Sequence, residues 1–410
     1  MFEQIRSNKI KSMWLIAGLG ALLLGIGYAI GYFILDNGPV GIVIASIVWL
    51  IMNLIAFAQG DQIFLSMSKA RKIEKKDHPQ LFNIVEEMTI ASGLPKVPDV
   101  YIIDDPAPNA FATGRNQKKA AVAITSGLLK QLNRDELQGV IAHEIGHIRN
   151  RDVLLMILAG ILMGSIVLLA NIGIRAFLLG GGRGGRRSSK SGGGGGEAII
   201  MVVAIVLIII APIVARLFYY ATSRKREYLA DASSAQYTRY PEGLASALEK
   251  ISSSTAVLAS ANQVTAPMYI INPLHKAGFS ASDLTSTHPP ISKRVKILRS
   301  MGNSASLATY DRAYRQVYGV RENIIPKGSL AGAAGLVETR SVAAEQKKPP
   351  KVEKTEKLER AREVSDLLER LNKYTALGCT CGTAFRIPPD YKGRSIKCPR
   401  CGRDNTIPRR

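Results

Sequence analysis

The chain has 410 residues, a net charge of +22, a hydrophobic share of 47% and a slightly positive mean hydropathy; it must therefore segregate apolar from basic stretches, which excludes a uniformly soluble fold and a disordered polyelectrolyte. Its length allows two or three modules. All four cysteines lie between Cys379 and Cys401, so no disulfide within the chain staples anything earlier, and such close pairs read as metal ligands in a reducing compartment.

Residues 14–35 carry no charge and reach the ~20 residues a spanning helix needs, and residues 40–58 repeat the pattern. A secretory leader is the competing reading of the first stretch, but a leader's apolar region is only ~7–15 residues and no second run follows it at once. Arg6, Lys9 and Lys11 before the pair and Lys69, Arg71, Lys72, Lys75 and Lys76 after it place both flanks in the cytoplasm.

The next stretch, 60–152, reads as the first part of a catalytic domain. Val100–Asp104 and Ala121–Thr125 predict short strands, joined by a segment holding Asn109–Gly114 and a turn at Arg115-Asn116-Gln117. An exposed edge there could hold a peptide as an added strand, with Asn109, Ala110, Phe111 and Ala112 as substrate-binding residues and Asn109 the direct contact. Asn133 followed by Glu136 has capping-box character, and Leu137, Val140, Ile141, Ile145 and Ile148 give the following helix an apolar face. That helix carries His143-Glu144-Ile145-Gly146-His147, an H-E-x-x-H motif. Its histidines share a helical face and can reach one zinc, with Glu144 beside them as a base.

Two further apolar runs, Val153–Leu179 and Ala198–Tyr220, fall within 153–221 and flank a Gly/Arg-rich linker from Gly180 to Gly196. Arg175, Arg183, Arg186, Arg187 and Lys190 belong inside by the charge rule, whereas an ordinary hairpin would put their loop outside, so this pair's orientation stays open. A catalytic zinc takes a third protein ligand. Glu227, opening Glu227-Tyr228-Leu229-Ala230-Asp231, is the candidate, with Asp231 on the same face able to orient a ligating histidine; a solvated helix pairing Arg224, Lys225 and Arg226 is the alternative.

Four elements, Asn109–Gly114, His143–His147, Ser223–Glu227 running into Asp231, and His288-Pro289-Pro290 with Arg294, make residues 1–300 resemble the HtpX-like family of membrane zinc metalloproteases, relatives of the CAAX prenyl proteases. The resemblance implies an endopeptidase acting on unfolded or damaged membrane proteins in stress-linked quality control. It implies zinc held by His143, His147 and Glu227, with Glu144 as catalytic base. It also sets His288 near the site, where it either donates to the oxyanion or merely opens a helix. The contrasting functions are a membrane-anchored adaptor with an idle metal site and a prenyl-peptide processing protease.

Beyond the second domain part, 222–300, come a variable region and linker (301–357), an amphipathic helix (358–375) with Leu358, Ala361, Val364, Leu368 and Leu371 at helical spacing, and a zinc ribbon (376–410). Cys379, Cys381, Cys398 and Cys401 form its two knuckles around a structural zinc, the first pair being C-x-C in place of C-x-x-C. The tail from 346 holds 17 Lys and Arg against 8 Asp and Glu. Without a stacking pattern of aromatics this favours anionic lipid headgroups over nucleic acid, and oligomeric state stays open. The expected architecture is an α-dominated α+β zincin-type domain with a small sheet, two transmembrane helices in 1–59 and four apolar membrane segments in all, multi-pass in the cell membrane, with protease domain and tail facing the cytoplasm.

Overall fold

The computed structural model describes residues 2–35, 37–180, 209–210, 213–215, 224–259, 265–271, 288–302, 304–325, 330, 339 and 350–407. They divide into two units, 1–73 with 79–344, and 74–78 with 345–410. The fourth apolar run and the Gly/Arg-rich linker lie almost wholly outside the described residues.

In the first unit, α1 (Phe2–Leu35) and α2 (Gly38–Met67) form an antiparallel pair. Small residues let their backbones approach: Gly27 and Gly31 face Gly41 and Ala45, and a Cβ on Gly31 would sit 2.7 Å from the Gly41 nitrogen. The turn holds because the Asn37 side chain accepts from the Val40 N–H at the start of α2. The third apolar run forms α6 (Val153–Gly180), whose Met163 and Ile166 are buried with Leu19, Leu23 and Ile26 of α1. Among the described residues one stretch, Gly38–Ile55, is long and apolar enough to cross a membrane; the apolar part of α1, Ile16–Tyr32, is shorter.

The rest of the first unit is built on a four-stranded sheet with helices against it. Strands β1 (Arg71–Lys72), β2 (Asp99–Ile103), β3 (Ala110–Asn116) and β4 (Lys119–Thr125) lie in the order β1-β2-β4-β3, with β2 parallel to β4 and β3 antiparallel to it. The segment expected to link two strands is thus itself the outer strand β3. Its Ala and Gly content hides it from propensity. The bulge at Gly114–Asn116 is shaped by Gly114, whose φ of +133° suits no other residue type. The helices are α3 (Pro79–Ser92), α4 (Ser126–Gln131), α5 (Arg134–Asn150), α7 (224–238), α8 (Pro241–Ser252), α9 (Ile291–Arg299) and α10 (Leu307–Tyr318).

In the second unit α11 (Pro350–Leu371) begins inside the stretch expected to be linker. Its buried seam is Val364 and Leu367, while Leu358 is exposed and Leu368 only half-buried, because the helix phase places i and i+3 inward from Val364. Two hairpins follow, β5 (Thr375–Gly378) with β6 (Ala384–Ile387) and β7 (Ser395–Lys397) with β8 (Asp404–Thr406). Arg386 of β6 pairs with Asp366 and Glu369 of α11.

Candidate active site

The expected capping box closes the start of α5: Asn133 Oδ1 accepts from the Glu136 N–H and the Glu136 carboxylate accepts from the Asn133 N–H, each at 2.9 Å. Two glycines then let other helices come close. A Cβ at Gly139 would lie 2.6 Å from the Leu244 nitrogen of α8, and one at Gly146 would lie 3.1 Å from Ser233 Cβ of α7. Ser234 Oγ donates to the Gly139 carbonyl at 2.7 Å and locks α7 in this position. The close approach brings Glu227, early in α7, over the two histidines of α5.

The Nε2 atoms of His143 and His147 are 3.2 Å apart, and Glu227 lies 3.6 Å from the first and 3.4 Å from the second. With zinc–nitrogen bonds of about 2.0–2.1 Å, tetrahedral ligands are separated by roughly 3.3 Å, so this donor triangle has the size zinc requires. All three side chains are buried, and Glu227 Oε2 has no hydrogen-bond partner, an orphaned acceptor that a cation would satisfy. The electrostatics agree. Burial opposes charge on His147, yet the Asp152 and Glu227 carboxylates outweigh it and lift the ring to about 10; burial likewise opposes charge on Glu227, but the surrounding histidines hold its carboxyl well below the usual range. The pocket attracts positive charge.

Around the donors stand the groups that orient and act. Asp231 Oδ1 is 3.0 Å from His143 Nδ1, off the line of an ideal hydrogen bond but close enough for a buried carboxylate to fix the ring. Arg294 donates to both Asp231 oxygens at 2.8 and 2.6 Å and lies 3.4 Å from Glu227. Glu144 is buried, which raises its carboxyl, and the backbone N–H of Ala112 on β3 donates toward it. His288 Nε2 faces Glu227 at 3.7 Å, and burial pulls its ring down to about 4, so it is neutral at physiological pH.

The segment expected to touch substrate is divided. Asn109 is buried, and its amide is already engaged, donating to the Ile271 carbonyl at 2.9 Å and accepting from the Ile271 N–H at 3.4 Å. The Ile270 N–H donates to the Ala110 carbonyl at 2.9 Å. Phe111 stacks edge-on with Tyr269, the Ala110 N–H donates to Asn109 Oδ1, and it is Ala112 whose backbone reaches Glu144. Sequence reasoning missed Asp152 and the helix α10. Ser306 before Leu307 and Gly319 after Tyr318 signal α10's caps, and its Tyr310 is fully buried, with the Asp231 and Arg294 charges acting on it.

In the second unit the four cysteines are free thiols. Cys379 and Cys401 sulfurs are 3.6 Å apart and Cys381 and Cys398 sulfurs 3.7 Å, against roughly 3.8 Å for a tetrahedron with 2.3 Å zinc–sulfur bonds. The C-x-C knuckle therefore closes as well as the C-x-x-C one. This donor set also fits zinc.

The model of "Peptidase family M48" matches residues 75–302. Two proteins named "Protease HtpX homolog" are similar over 302 residues, 73% of this chain and 95% of each relative: that of Dictyoglomus turgidum at 45% identity and that of Dictyoglomus thermophilum at 46%. The crystal structure of S. mikatae Ste24p matches with a TM-score of 0.40 and 18% identity, over 73% of this chain and 67% of that one.

Proposed function

The chain belongs to peptidase family M48 and is a metalloprotease, and on that premise we propose that His143, His147 and Glu227 hold its catalytic zinc, with Glu144 as the base. The observation that carries this reading is the donor triangle, sized for zinc and set beside a buried carboxylate on the same helix. When bound, zinc supplies a Lewis acid that makes water acidic at neutral pH and stabilises the oxyanion.

The chain's own residues do the rest. The outer backbone of β3 from Ala112 onward, beyond the part of the edge that Ile270 already occupies, holds the peptide as an added strand, bonding through its main chain and reading few side chains, which gives broad specificity. Asn109 supports it indirectly by pinning Ile271 alongside. Glu144, raised by burial, accepts a proton from the attacking water and passes it to the leaving amine. His288 donates to the developing oxyanion. Asp231 keeps His143 in the tautomer whose Nε2 faces the donor triangle.

Unfolded or damaged membrane proteins are the proposed substrates, met in the cell membrane by a multi-pass enzyme whose four apolar segments leave the catalytic part and tail in the cytoplasm. The apolar α2 and the Lys-rich flank after it support this orientation. Cys379, Cys381, Cys398 and Cys401 hold a structural zinc, and the basic tail is drawn to anionic headgroups. The test compares zinc content and cleavage of a membrane-protein substrate for detergent-purified wild type, Glu144→Gln and Glu227→Ala. Loss of cleavage in both, with zinc lost only in the second, is expected; unchanged cleavage in either overturns the assignment.

A further inference from the structure

Each candidate histidine ligand has a buried carboxylate behind it, but only one of the two comes from α7. His147 Nδ1 lies 3.5 Å from Asp152 Oδ2, and Asp152 is fully buried. The chain reaches that position through a tight reversal. Arg151 ends α5 in the left-handed region at φ 59°, and the Asp152 N–H donates back to the His147 carbonyl at 3.1 Å. Asp152 then starts α6, its own carbonyl accepting from the Met156 N–H at 3.0 Å. Its other carboxylate oxygen lies 4.0 Å from Arg226 Nε, one residue before Glu227.

We infer that Asp152 is a second positioning carboxylate of the zinc centre, fixing His147 as Asp231 fixes His143. The inference rests on the proposed zinc reading. Two parallel arms result, His143–Asp231–Arg294 and His147–Asp152–Arg226, in which an arginine lies beside each buried carboxylate and the carboxylate orients each ring. The rival role is that Asp152 only caps α6. The two roles need different chemistry: a cap needs a side-chain oxygen, which Asn supplies as well as Asp, whereas orienting a ligating imidazole and raising its basicity needs the anion. Because Asp152 is also the first residue of the turn that opens α6, this arm ties one ligand directly to an apolar helix.

The experiment measures zinc retention of the full chain in detergent against a chelator series, together with the visible spectrum of the cobalt-substituted protein, for wild type, Asp152→Asn and Asp152→Glu. Asp152→Asn should weaken zinc binding at the catalytic centre about 10–100-fold, shift the cobalt bands of that centre and leave the cysteine site and the helical circular dichroism unchanged. Asp152→Glu should restore part of the affinity. Wild-type retention and cobalt spectrum in Asp152→Asn would overturn the inference, as would a loss shared equally by the cysteine site. A wild type without zinc at His143, His147 and Glu227 would instead defeat the underlying zinc reading.

Discussion

Replacing Arg294 by Met probes how the buried charges of the site are held. The guanidinium is fully buried, donates to Asp231 at 2.8 and 2.6 Å, and lies 3.4 Å from Glu227 and 3.3 Å from the Ile270 carbonyl. Methionine keeps the apolar stem and removes the charge, so two carboxylates lose their cation. Removing one partner of a buried pair costs about 3–5 kcal/mol, a large part of a domain's ~5–15 kcal/mol. At about 2–4 °C per kcal/mol, the thermal midpoint of metal-free protein in detergent should fall by roughly 6–20 °C. Working metal-free keeps zinc binding out of the comparison. Adding Asp231→Leu should recover much of that loss, since the carboxylate bonded directly to the guanidinium is then gone and Glu227 keeps the histidines beside it. Zinc retention should stay poor because His143 then lacks its carboxylate. A single variant melting within about 2 °C of wild type, or a double variant melting lower still, refutes the reasoning.

Glu144→Gln should keep its zinc while losing at least about 100-fold in cleavage of casein; metal analysis and a cleavage assay on one preparation check both. Gly139→Ala should lower stability by about 1–3 kcal/mol, because the added Cβ meets the Leu244 backbone at 2.6 Å, and a matching fall in midpoint is the readout. Cys381→Ser should release the zinc of the second unit and spare the catalytic zinc, so cleavage by the remainder persists; loss of both ions would show the sites to be linked. Zinc loading of metal-free protein at pH 7 should release protons. His147 is held at about 10, so its proton must leave when a cation binds, and the binding enthalpy should differ between buffers of different ionisation heat.

Local signals were legible wherever one segment carries them. The H-E-x-x-H pair, the Asn133–Glu136 box and strands β2 and β4 are each set by neighbours within a few residues. Asp231 could be read because it shares a helical face with Glu227, and the cysteine knuckles could be read from spacing. Strand β3 could not, since Ala110, Ala112 and Gly114 have low strand propensity and are held by pairing with β4. Asn109 was expected to touch substrate because its segment offers an edge; the partner that engages its amide, Ile271, is remote in the chain and invisible to local reading. Asp152 belongs to no motif, and only the left-handed turn at Arg151 brings it back to His147.

The charges around the donor triangle explain why a dication suits it. Asp152, Glu144, Glu227 and Asp231 are all buried, as are Arg226 and Arg294, so carboxyl groups outnumber guanidiniums around the donors. An unbalanced pair of buried charges is costly in a low-dielectric interior. The neighbouring carboxylates raise both His143 and His147 although burial opposes it. A divalent ion held by His143, His147 and Glu227 would offset that excess and satisfy Glu227 Oε2 at the same time. The two arginines therefore do more than hold their aspartates: they limit the excess of buried carboxylate in the pocket, so that removing either should weaken zinc retention at neutral pH by upsetting the balance in which the donors sit.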